Sequence, residues 1–329
     1  MDIQLKMKPL ASSAASGYRN TLCDHKALLS FLVLISLQTM VGILYKVSQV
    51  GSRYAFSTFA AFTMSEFVKL GISASLYAKD RKEQQGLAAA FRETYSSLTP
   101  RHVSKIAILS AMYFSNNQLT FFLFLRADPA SINLLKAGSS AITAMIWTVF
   151  MGRAVSQQQW LAIGLQVCGL VVVQYNPCTQ QALLALSAYL WILFSVFLTS
   201  FSGVWNEKQI KTMPLSLHEQ NMIMYTFGAL FNGLGHASMA NIDHGFPRFF
   251  EGLTFLSFGV IAVNSCFGVV VTAVFKYSNA IVKTLASAVT TVLLTAISFM
   301  FFGFPLTIVS AAGCTSTILA VFLYASATD

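Results

Sequence analysis

Charge is what this sequence has least of. Only 10% of its 329 residues are Asp, Glu, Lys or Arg, against about 25% in a soluble domain, and this excludes a soluble fold of useful size. Carboxylates are scarcest, 12 in all against 21 basic residues. No paired carboxylates and no nucleophile–base constellation stand within a hydrophobic stretch, which speaks against an enzyme. Cysteine is sparse too. Cys23, Cys168, Cys178, Cys266 and Cys314 form no Cys-x-x-Cys and no cluster with histidine, so neither metal nor cofactor is expected. Cys168, Cys266 and Cys314 read as small apolar packing residues, and Cys178 falls in a short loop with no evident partner. No short apolar run with a small-residue cleavage site precedes the first long one, so no cleaved signal peptide is expected. No lipidation box or simple retention signal closes the chain.

What the chain has instead is hydrophobic length: 55% of residues are apolar and 13% aromatic. Crossing a bilayer takes about 20 apolar residues in a helix. Ten stretches qualify, at 27–46, 55–79, 103–126, 130–151, 158–175, 181–205, 220–239, 252–275, 280–302 and 305–324. The stretch Trp160–Tyr175 carries no charge, whereas the seventh is diluted by Asn221, Asn232, Gly233, Gly235 and His236. Residues 1–26 read as a disordered polar tail. Basic residues crowd one side of these spans: Lys6, Lys8, Arg19 and Lys26 in the tail, six more in the 79–105 loop, then Arg153, Lys208, Lys211 and Lys276. The other side has Lys46, Arg53, Arg126 and Arg248. The positive-inside rule then puts both termini in the cytosol. The basic loop is a solvated cytosolic face, since no nucleic-acid module accompanies it.

Three lysines fall inside the spans. Lys136 opens Lys-Ala-Gly-Ser-Ser-Ala-Ile-Thr, and Lys283, 147 residues later, opens Lys-Thr-Leu-Ala-Ser-Ala-Val-Thr. A charge at membrane depth costs about 2.5 kcal/mol or more and marks function by default. Its recurrence in one pattern divides the chain into similar halves, 27–175 and 181–325. Asn133, Lys136, Ser140 and Thr143 share one helical face, as do Asn279, Lys283, Ser287 and Thr290. Asn221, Tyr225, Gly228 and Asn232 make a third face, and Asn116, Asn117 and Thr120 a fourth. Each has a plainer reading. Helical Ser and Thr bond back to their own backbone, Asn and small residues glue helices together, and Lys283, at the start of its span, can snorkel to the interface. The third lysine, Lys69, stands at i, i+3 from Glu66 and reads as half of a structural ion pair. Glu207 and Lys208 close the sixth span as a gate, a cap or simply a helix end.

Two ammonium groups in a cavity suit a phosphate. Amides and Tyr225 suit a base or a sugar, and aromatic rings can stack on a base. A desolvated lysine pair without an anion is costly, so such a site favours loaded over empty switching, which is the logic of an exchanger. Paired repeats around a midplane site are a common transporter design.

Several segments together carry a specific resemblance: Glu66-Phe-Val-Lys69, Asn116-Asn117, Asp128-Pro-Ala-Ser, Ser156-Gln-Gln-Gln-Trp160, Phe201-Ser-Gly-Val-Trp-Asn-Glu207-Lys208, Asn221-Met-Ile-Met-Tyr225 and Lys276-Tyr-Ser-Asn-Ala-Ile-Val-Lys283. Over residues 27–325 the chain resembles the nucleotide-sugar transporter family, in the branch of CMP-sialic acid and UDP-galactose transporters. The resemblance implies an all-α polytopic membrane protein with ten transmembrane helices in two inverted five-helix repeats, in Golgi or ER membranes. It implies antiport of a nucleotide-sugar into the lumen against a nucleoside monophosphate. By position it assigns nucleotide contacts to Lys136, Lys283, Asn116, Asn221 and Tyr225, with Thr272 at the family's small hydroxyl position; Asn117, Ser140 and Ser287 join them from the faces above. Counted from Asp128, the family's fourth-helix lysine falls on Ser139, one turn from Lys136 on the same face, whereas the internal repeat favours Lys136. Lys46 replaces a usual arginine, Tyr113 is displaced by one position, and Asn279-Ala280 stands for an acidic-Asn pair. Three readings fit: this antiporter, an exchanger of another phosphorylated metabolite, and a transport-inactive scaffold for glycosyltransferases. Partners are then the nucleotide-sugar, the monophosphate and membrane lipid, with a homodimer or a glycosyltransferase complex open.

Overall fold

In a computed structural model the described residues are 25–50, 53–82, 98–124, 136, 138–152, 154–174, 186–242, 247–302 and 307–327. They form an all-helical membrane protein. The helices, in chain order, are α1 (His25–Val47), α2 (Thr58–Lys82), α3 (Pro100–Phe124), α4 (Ser139–Met151), α5 (Gln157–Gln174), α6 (Leu186–Thr212), α7 (Leu217–Ile242), α8 (Phe255–Tyr277), α9 (Ala280–Phe302) and α10 (Ile308–Ser326). A two-residue antiparallel ladder, β1 (Gln49–Val50) with β2 (Arg53–Tyr54), turns α1 into α2, Gln49 lying opposite Tyr54. Asn133, Cys178 and residues 1–24 lie outside the described residues; His25 and Lys26, read as the end of the tail, belong to α1.

The breaks between helices are written in capping chemistry. Ser156 and Gln159 exchange side-chain and backbone bonds at the start of α5 (3.0 and 3.2 Å). Ser216 and Glu219 do so at the start of α7 (2.6 and 3.3 Å), and Thr254 with Ser257 at α8. Each reciprocal pair satisfies donors that a helix start leaves open. Gly152, with φ +65°, ends α4 in the left-handed conformation, its N–H donating to Thr148 O, a stop that a residue with a Cβ adopts only at a cost. At the far end of the bundle Gly252 has φ +71°, and a Cβ there would sit 1.9 Å from Ala55 O. The α7–α8 connection therefore lies directly on the α1–α2 hairpin.

Outward-facing side chains are apolar. Val149 is 79% exposed, Leu161 71%, Ile308 91% and Phe322 69%, which is intelligible only against lipid. By length and hydropathy α1, α6, α8, α9 and α10 each suffice to cross a membrane. The helices α2, α3 and α7 are as long but more polar, since they carry Glu66, Lys69, Asn116, Asn221 and Asn232 inward.

Neighbours follow a pattern. α1 packs on α8 and α9, while α6 packs on α3 and α4; α3 lies on α7, and α8 on α2. The remaining large contacts are α2 with α7, α4 with α9 and α5 with α10. The α5–α10 crossing is the closest. A Cβ on Gly169 would lie 2.6 Å from Thr317 Oγ1, and one on Gly313 would lie 2.6 Å from Val173 N. Small residues permit such approach where lipid supplies no hydrophobic drive.

Candidate functional site

Lys136 stands just ahead of α4 and Lys283 in the first turn of α9, two helices in mutual contact. Both lysines are half-buried. On the face of α4 below Lys136, Ser140 and Thr143 are buried. Thr143 Oγ1 donates to Ser200 Oγ on α6 (3.0 Å), but the Ser140 hydroxyl has no hydrogen-bond partner among the described residues. On α9, Ser287 exchanges hydrogen bonds with the Gln38 carboxamide of α1 (2.9 and 3.3 Å). Thr290 bonds back to Ala286 O (3.0 Å), the plainer role open to any helical threonine. Asn279 caps α9 by accepting from Val282 N (2.8 Å).

A second polar cluster joins α2, α7 and α8. Lys69 and Glu66 form a buried ion pair on one face of α2, and the Lys69 ammonium lies 4.9 Å from the centre of the Tyr225 ring. Two glycines make room for it. A Cβ on Gly228 would meet the Glu66 carboxyl at 2.9 Å, and one on Gly268 would meet Lys69 Cδ at 2.6 Å. Asn221 donates to Thr272 Oγ1 (2.9 Å), and the buried Tyr225 hydroxyl sits beside the same threonine without a well-formed hydrogen bond.

The third-helix asparagines diverge. Asn116 Oδ1 accepts from both Ser195 Oγ and Thr199 Oγ1 of α6 (3.1 and 2.9 Å). Asn117, partly exposed, makes no hydrogen bond among the described residues. Asn116 thus spends its acceptor on holding α3 to α6. Asn116→Ala is expected to cost about 1 kcal/mol, the scale of an interhelical hydrogen bond in lipid, read as a small fall in the melting temperature of the detergent-solubilised protein.

At the end of the bundle where α6 finishes, Glu207 is fully buried. Its carboxylate accepts from Trp147 Nε1 of α4 (3.0 Å), the Ala280 N–H that opens α9 (2.8 Å) and Lys211 Nζ (2.7 Å). Lys211 also donates to Ser278 O (2.5 Å). Lys208 turns elsewhere, to Phe150 O (2.8 Å). Neighbours at i, i+1 do not face each other on a helix and those at i, i+4 do, so Lys211, read from the sequence only as one of the cytosolic basic residues, is the partner of Glu207. Trp147, Gln38, Thr199 and Gly268 were missed, and Gly228 was read only as part of the polar face of the seventh span. Gln38 alone left a signal, an amide within an otherwise apolar run of α1.

A polytopic helical membrane protein whose interior holds cations and amides, with hydrocarbon side chains outside, has the general make of a small-solute transporter. The family model for nucleotide-sugar transporters matches residues 24–325, and the chain belongs to that family. Among curated relatives, CMP-sialic acid transporter 2 of Oryza sativa subsp. indica is 26% identical over 95% of this chain and 87% of its own length. CMP-sialic acid transporter 3 of the same rice is 26% identical over 97% and 83%. CMP-sialic acid transporter 1 of Arabidopsis thaliana is 24% identical over 89% and 88%. A protein of known crystal structure, 13% identical, superposes with a TM-score of 0.67 over 91% of this chain and 97% of its own, a likeness of fold alone. Family and relatives alike carry the names of transporters, not enzymes.

Proposed function

We propose that this protein exchanges a cytosolic nucleotide-sugar for a luminal nucleoside monophosphate across the Golgi or ER membrane, with both termini in the cytosol. The observation that carries the reading is the Lys136–Lys283 pair. Lys136 stands just ahead of one helix and Lys283 in the first turn of another that contacts it, each followed one turn later by a serine of the same repeat. An anion between them offsets both the desolvation and the mutual repulsion. The empty carrier lacks that compensation, so it switches poorly between its two faces. The substrates named in the relatives' descriptions favour a CMP-linked sugar.

Alternating access follows from a chain of ten spans in two inverted halves, 27–175 and 181–325. Helix neighbours support that reading. Exchanging each helix for the one five places on turns the α1 contacts with α8 and α9 into the α6 contacts with α3 and α4, and maps α2–α7, α4–α9 and α5–α10 onto themselves. In this scheme Lys136, Lys283, Ser140, Ser287, Asn117, Asn221, Tyr225 and Thr272 line the substrate path, Asn116 shapes it, and Glu66 with Lys69 is structural. Glu207 and Lys208, with Lys211, latch the cytosolic end: the Glu207 carboxylate binds α4 and α9, the two lysine helices, to α6.

The test is counter-transport in proteoliposomes preloaded with CMP, UMP, GMP or AMP. Uptake of a labelled nucleotide-sugar is expected only with one matching internal monophosphate. Uptake indifferent to internal nucleotide would end the exchange reading, and no uptake with any nucleotide would move weight to another phosphorylated metabolite or to a scaffold.

A further inference from the structure

The two halves of the lysine site differ in one respect. Ser140 and Ser287 hold the same place in the repeat, four residues after Lys136 and Lys283. Ser140 is 1% exposed and its hydroxyl has no partner among the described residues, whereas the Ser287 hydroxyl accepts from Gln38 Nε2 (2.9 Å) and faces Gln38 Oε1 and its own Lys283 O (3.3 and 3.2 Å). Nothing on α6 does for Ser140 what Gln38 does for Ser287, since Ser200 is committed to Thr143 and to Ser139 O.

Gln38 itself is placed oddly for a structural residue. It continues the buried stripe of α1 through Phe31, Leu34 and Ile35, the face packed on α8 and α9, yet it is only partly buried. Gln38 is thus on the side of α1 that meets other helices, not on its lipid side. Two turns on, Tyr45 donates to Asn264 Oδ1 of α8 (3.1 Å), and both line a cleft with the rings of Tyr54, Phe56 and Phe62. From Lys283 the polar line thus runs through Ser287 and Gln38 toward Tyr45, Asn264 and a set of aromatic rings. Cations for a phosphate, then an amide, then rings with an amide is the order of chemistry that a nucleotide-sugar presents from its diphosphate or phosphodiester outward to the sugar, whose hydroxyls suit carboxamides and whose apolar face suits an aromatic ring. The amides of Asn117 and Asn221 are on other helices, α3 and α7.

We propose that Gln38 contacts the sugar portion of the substrate: its carboxamide leaves Ser287 and bonds a sugar hydroxyl, and the α1 wall from Gln38 to Tyr45 and Asn264 reads the sugar while the base is read elsewhere. This rests on the exchange reading above. Gln38 belongs to neither repeated lysine motif, so the sugar is told apart by the half of the site where the repeat is broken.

Two assays run side by side test it: homoexchange of the matching nucleoside monophosphate, which has no sugar, and exchange of that monophosphate for the nucleotide-sugar. Gln38→Ala is expected to raise KM for the nucleotide-sugar about tenfold, the factor equivalent to ~1.4 kcal/mol, with KM for monophosphate homoexchange within about twofold of the parent. Gln38→Met keeps the side-chain bulk and should show the same split, which guards against loss through misfolding. A uniform loss in both assays, or no change in either, overturns the assignment of Gln38 and leaves exchange standing. A parent protein that exchanges no nucleotide overturns both.

Discussion

Glu66→Ala will destabilise the protein by about 3–5 kcal/mol, the usual penalty for stranding one partner of a buried ion pair. Lys69, 8% exposed, would keep its ammonium against the Tyr225 ring with no carboxylate to neutralise it. Proximity to a ring returns at most about 2 kcal/mol. A fall in melting temperature on the order of 10 °C is expected for the detergent-solubilised protein. The double variant Glu66→Leu, Lys69→Met should recover most of it, because replacing a buried pair by apolar residues of similar volume is close to neutral. A double variant as unstable as Glu66→Ala would show the pair to be irreplaceable by packing. Gly228→Ala tests the same place sterically: its methyl would arrive 2.9 Å from the Glu66 carboxyl, and α7 must move off α2 to admit it.

How much of this was legible beforehand divides along a physical line. Helix positions could be read because lipid demands a fixed apolar length, and each of the ten expected stretches overlaps a helix among the described residues, α4 being described only from Ser139 onward. The Glu66–Lys69 pair could be read because i, i+3 spacing on one helix needs no knowledge of its neighbours. What could not be read depends on how helices are rotated and crossed. Gln38 and Ser287 are 249 residues apart, and Glu207 gathers Trp147 and Ala280 from two other helices. The glycines at 228 and 268 are informative only once the long side chains opposite them are in place. Lys208 was favoured over Lys211 by adjacency to Glu207, where helical rotation was the better guide.

The lysines should respond differently from the ion pair, and the contrast tests the mechanism. Lys136→Ala and Lys283→Ala each remove a charge held in a costly place, so neither is expected to lower the melting temperature. Exchange should fall steeply in both. A charge-assisted bond to phosphate is worth about 2–3 kcal/mol, which corresponds to roughly 30- to 150-fold in kcat/KM. Arginine at either position should not restore it, since a planar fork replaces a point charge. The two losses should fall short of additive in the double variant, because removing one ammonium also relieves its repulsion of the other. That relief has a second consequence. If the lysine pair is what holds the empty carrier back, a single alanine variant makes the empty state cheaper. Its residual uptake should then depend less on internal monophosphate than the parent's does. The ratio of uptake with and without internal nucleotide is the quantity to measure. A ratio that drops while total flux drops places obligate exchange in the lysine pair; an unchanged ratio at lower flux confines the lysines to binding and leaves the coupling to the Glu207 latch between α4, α6 and α9.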